Sequence, residues 1–74
     1  MIKIGDYIVR NYIRGTNWGR VIFIDKKEMH YVVLKTTEPL FFNKGEVFKT
    51  HRKNDTNQIT TRIITKEEML MELL

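Results

Sequence analysis

The apolar residues of this chain come in short pieces: no unbroken run exceeds four residues, and one of that length, Val21 to Ile24, is of β-branched and aromatic type. Crossing a bilayer as a helix takes about 20 apolar residues in a row, so no membrane span is expected. A chain patterned this way builds short strands separated by polar turns. Its 74 residues, 42% of them apolar, suffice for one compact core. A chain of this size hides only about 60% of its unfolded surface on folding. Alanine, the usual filler of helical bundles, is absent. Cysteine and serine are absent as well, which excludes disulfides, thiolate metal sites and cysteine or serine nucleophiles.

The pattern predicts five strands and a helix. Tyr7 to Tyr12 alternates, with Tyr7 and Val9 on one face and Ile8 and Arg10 on the other. Gly15, Asn17 and Gly19 predict a loop that projects Trp18. Val21 to Ile24 and Tyr31 to Leu34 read as a hairpin about the polar turn Asp25 to Glu28. Thr37 to Phe42, with the only proline, reads as an irregular connection. Glu46 to His51 and Ile59 to Ile64 are strands four and five, and the polar stretch Arg52 to Gln58 is the expected mobile loop. Thr65 followed by Glu68 matches a capping box, so a short helix is expected at the C-terminal end. The expected fold is mainly β: five short strands over residues 1–64 in a small barrel or two packed sheets, with a C-terminal α-helix over 65–74 packed on the barrel or on a partner.

Gly5-Asp6-Tyr7-Ile8-Val9, followed by Gly15, Gly19, Val21 and Ile24, resembles the KOW-type motif of SH3-like barrels. The resemblance covers residues 5–36 and implies that residues 1–64 form a five-stranded SH3-like barrel. It implies a domain that binds RNA, DNA or another protein, often within the transcription or translation machinery. Similar openings occur in Tudor-like modules and small ribonuclease toxins. A barrel with a helical cap also resembles small archaeal chromatin proteins, although those are richer in lysine and lack the Gly-Asp opening.

A formal charge of +4 on so small a body favours anionic partners. Lys44, Lys49, His51, Arg52, Lys53 and Arg62 concentrate in strands four and five and the loop between them. If those strands pair, the six form a patch able to track phosphates; the alternative is a set of edge charges that deters aggregation. Trp18 and Tyr12 are the candidate stacking residues for unpaired bases, while Phe23 and Phe48 are expected in the core. Phe41 and Phe42 point opposite ways on an extended chain, one inward and one, Phe42 in this reading, toward a partner. His30 and His51 stand in no metal-ligand spacing. Arg20, Thr50 and His51 are residue types that small ribonucleases use, but nothing in their spacing compels catalysis. Neither an enzyme activity nor a cofactor is expected.

Met69, Leu70, Met71, Leu73 and Leu74 make the helix apolar around most of its circumference. A helix of that kind is buried on more than one side, which points to a protein partner or a homodimer through the helix. Two functions are therefore carried forward. One is nucleic-acid binding through the strand four–five surface. The other is a protein-interaction module docking on a larger machine, similar to the accessory or host-directed proteins of phages and plasmids. No leader-like apolar stretch opens the chain, so a cytoplasmic location is expected.

Overall fold

The computed structural model describes residues 1–52 and 58–74. Strands β1 (Tyr7–Asn11), β2 (Thr16–Ile24), β3 (Glu28–Thr36), β4 (Val47–His51) and β5 (Thr60–Ile64) form one antiparallel sheet, followed by the helix α1 (Lys66–Leu73). The order across the sheet is β4-β3-β2-β1-β5, a four-strand meander with β5 returning beside β1. Among the described residues no helix is long and apolar enough to cross a membrane. The loop expected over 52–58 lies mostly outside the described residues.

Side-chain alternation gives the sheet an inner and an outer face. Ile8, Val21, Met29, Tyr31 and Val33 point inward and form the larger core, with Ile2, Ile24 and Phe48 against it. Val9 and Ile64 point the other way and meet Met69 of α1, flanked by Tyr7, Trp18 and Leu34. The helix therefore lies on the outer face. Thr65 caps it as expected: its Oγ1 accepts from the Glu68 backbone N–H at 3.0 Å, and its own N–H donates to Glu68 Oε1 at 3.4 Å.

Arg10, on the inner face of β1, is almost fully buried. Its Nη1 donates to Thr61 Oγ1 on β5 and its Nη2 to Thr50 Oγ1 on β4, each at 3.0 Å. On a flat sheet β4 would lie three strand spacings from β1, about 14 Å, farther than one arginine side chain reaches. The sheet is thus curled until both edges meet one guanidinium. No β4–β5 ladder closes it among the described residues.

Three expectations are corrected here. The stretch from Gly15 to Gly19 is not a projecting loop, because β2 already starts at Thr16. Gly19 is a mid-strand glycine over which the Tyr31 ring lies. A Cβ there would sit 2.5 Å from Tyr31 Cδ2 and 2.6 Å from the Val32 carbonyl oxygen. Phe23 is not core: it is 39% exposed. A register shift between Val21 and Phe23 inserts Ile22 as an extra residue, so Phe23 faces outward opposite His30 while Ile24 returns to the core. Lastly, β4 and β5 are opposite edges, so the patch that required them to pair is not assembled in that way.

Candidate functional site

The helix covers the Val9–Trp18–Leu34 part of the outer face; among the described residues nothing covers the β2–β3–β4 part beyond it. Phe23 stacks on His30 there, with ring centroids 4.8 Å apart and planes inclined by 37°. His30 stands opposite Lys49 and Glu28 opposite His51 in the β3–β4 register. The Glu28 Oε1 lies 2.9 Å from His30 Nε2 and so holds the imidazole beneath Phe23. Lys49, His51 and Val47 alternate outward along β4 and are exposed.

The adjoining β2–β3 turn adds further cations. Asp25 Oδ1 accepts from the backbone N–H groups of Lys27 and Glu28, both at 2.8 Å, which tightens the turn and presents Lys26 and Lys27. These bonds, that of Glu28 first, hold the Asp25 carboxyl below its ordinary value of 3.8. Arg52 binds the same turn: its N–H donates to the Lys27 carbonyl at 2.9 Å and its Nη1 to the Asp25 carbonyl at 2.8 Å. Lys26, Lys27, Lys49, His51 and Arg52 thus border the exposed Phe23 ring and the largely buried His30 beneath it. That arrangement offers a stacking surface with cations beside it.

The remaining basic candidates lie elsewhere. Arg62, on β5 at the other edge, is 3.7 Å from Glu68 of α1. Lys44 lines a cleft beside Lys35 and the end of the helix. Lys53 falls outside the described residues. Trp18 is half-buried on β2, with the Lys35 ammonium 5.0 Å from its ring centroid. Lys35 Nζ also donates to the Glu72 carbonyl at 2.9 Å and to its Oε1 at 3.0 Å, tying the last turn of the helix to the sheet.

Tyr12 belongs to an internal aromatic chain. Its ring is 5.4 Å from Phe42, which is 5.1 Å from Phe48, which in turn is 5.7 Å from Tyr31. The Tyr12 and Tyr31 hydroxyls are 3.1 Å apart, and Asn17 Nδ2 donates to the latter at 3.2 Å. Burial, reinforced by the Tyr12 hydroxyl, pushes the Tyr31 phenol well above its ordinary value of 10.0, so it stays neutral. Phe42 is therefore the inward member of its pair, half-buried, and Phe41 is the outward one at 68% exposure.

Phe41 and Phe42 form one wall of an apolar groove of about 540 Å³, completed by Tyr12, Ile13 and Ile59, with Arg14 and Glu38 as its charged residues. On α1, Met69 is buried and serves as the anchor to the sheet rather than as a contact for a partner. Leu70, Met71, Leu73 and Leu74 are exposed.

Sequence reasoning missed Lys26 and Lys27, read only as turn residues, and Phe23, read as core. The run Lys26-Lys27 was a signal; the bulge that turns Phe23 outward had none. No family model, curated protein or solved structure matches the chain.

Proposed function

We propose that this protein is a non-enzymatic module that binds single-stranded nucleic acid, DNA or RNA, inside the cell. The observation that carries the reading is the exposed Phe23 ring seated on His30, with Lys49 opposite His30 and the cationic turn beside it. An unpaired base stacks on Phe23 while Lys26, Lys27 and Arg52 neutralise neighbouring phosphates. Phe23 and Lys49 stand on strands of the outer face, with no helix among them to enter a duplex groove, which favours unpaired strands. Under this proposal the curled sheet is an open SH3-like barrel of KOW type, and the Arg10 bridge between its edges supports that assignment.

The test is titration into labelled single- and double-stranded DNA and RNA at about 50 and 200 mM salt. Single strands should bind most tightly and weaken steeply with salt. Phe23→Ala should cost about 1–3 kcal/mol of binding, and Lys49→Glu should lower the salt slope. Arg62→Glu, at the opposite edge, should leave the slope unchanged. Absence of binding to all four probes would refute the proposal.

A second reading, a protein-interaction module docking through α1, is favoured by the exposure of Leu70, Met71 and Leu74 on a helix held to the sheet by Met69. Its small size suits an accessory protein of phage or plasmid type. Association between copies through the helix belongs to this reading.

A further inference from the structure

We infer that α1 of one copy docks into the Phe41 groove of a second copy, which rests on the reading of α1 as a docking element and goes beyond it by naming both partner and receptor. The outward stripe of the helix consists of Glu67, Leu70, Met71 and, at its C-cap, Leu74, the i, i+3, i+4, i+7 spacing with which amphipathic helices enter apolar grooves. Its three apolar members are 53%, 72% and 99% exposed.

The groove is built to stand open. Tyr12 N–H donates to the Gly15 carbonyl at 2.7 Å and Thr37 N–H to the Thr16 carbonyl at 3.0 Å, which ties the β1–β2 turn to the next wall. Thr16 N–H donates to Thr37 Oγ1 at 2.8 Å. The backbone N–H groups of Phe41 and Phe42 both donate to the Glu38 carbonyl at 3.1 Å, fixing the aromatic wall. Ile13 and Phe41 are 73% and 68% exposed, so the walls keep most of their apolar surface in water.

Charge selects the occupant. One lysine against three glutamates gives residues 66–74 a formal charge of −2, leaving +6 on residues 1–65 of a chain with +4 in total. The helix is thus an acidic, apolar ligand on a basic body, and the complementary apolar receptor is on the same chain. Among the described residues neither Glu67 nor Arg14, at the groove, has an ion pair or side-chain hydrogen bond. In the docked pair Arg14 faces the Glu67 end of the helix.

Sedimentation of the full chain over about 1 µM to 1 mM covers the affinities of transient association. The wild type should associate, more weakly at high salt. Leu70→Asp and Phe41→Asp, both at exposed positions, should each weaken self-association at least about ten-fold. Trp18 fluorescence and circular dichroism check that each variant stays folded. An equimolar mixture of the two variants should recover a two-chain species, since one supplies an intact groove and the other an intact helix. A mixture that stays monomeric would overturn the inference, as would a wild type monomeric throughout. Association retained in Phe41→Asp but lost in Leu70→Asp would overturn the groove as receptor while leaving the helix as a docking element. Association retained in Leu70→Asp would overturn both.

Discussion

The two faces of the sheet use the same alternation of residues to different ends. The inner face is enclosed because the sheet curls over itself, so even Arg10 and Asn17 are buried there and are held by hydroxyl partners. Among the described residues the outer face has an eight-residue helix to cover it. One half becomes a second, smaller core around Met69, and the other leaves Phe23, Val47, Lys49 and His51 in water. Burial in this protein follows from what lies above a residue, and polarity alone does not predict it.

Arg10→Met tests the enclosed face and carries the largest expected effect. It removes both hydrogen bonds that link Thr50 and Thr61 across the two edges, at a cost of about 3 kcal/mol or more. Urea denaturation should show this as a lower midpoint; an unchanged midpoint would mean that the edges are held without the guanidinium. Met69→Ala comes next. It empties the centre of the smaller core for about 2–3 kcal/mol and should expose Trp18, read as a red-shifted emission, while the inner face stays folded. A stability loss without any change in Trp18 would separate the helix from the tryptophan.

The smallest effect lies at the turn beside the open half. Backbone hydrogen bonds stabilise the charged Asp25 carboxylate, so its folded value is below the unfolded one of about 3.8. The corresponding stabilisation is present above pH 4 or so and is lost as pH falls through the lowered folded value. The stability difference between wild type and Asp25→Ala should therefore be constant near neutrality and shrink only in acid. A difference that grew in acid would contradict the assignment. Asp25 is fully exposed, so the effect is a modest one.

Much of this was legible in the residues. The alternation read over Tyr7 to Tyr12, the hairpin about Asp25 and the Thr65–Glu68 capping box all rest on interactions within a few residues, and each forms, with β1 ending at Asn11 and both hairpin arms longer than the pattern showed. Gly19 was misleading, since a glycine that makes room for the Tyr31 ring looks the same in sequence as one that makes a turn. The candidate site was less legible still. Lys49 and His51 share the expected face, but Arg62 lies at the far edge because a strand's neighbours are set by topology.

Interactions within a few residues were enough to set the local units: apolar runs too short for a membrane-spanning helix, the turn at Asp25, the capped and apolar helix, and the basic balance of the whole. Only the tertiary structure decided which units meet. It placed β4 and β5 at opposite edges, buried Arg10 between them, seated Trp18 beneath the helix and turned Phe23 outward through a single inserted residue. The physical reason is range. Propensity, capping and turn chemistry act over three or four residues, whereas curl, register and burial depend on contacts between segments far apart in the chain.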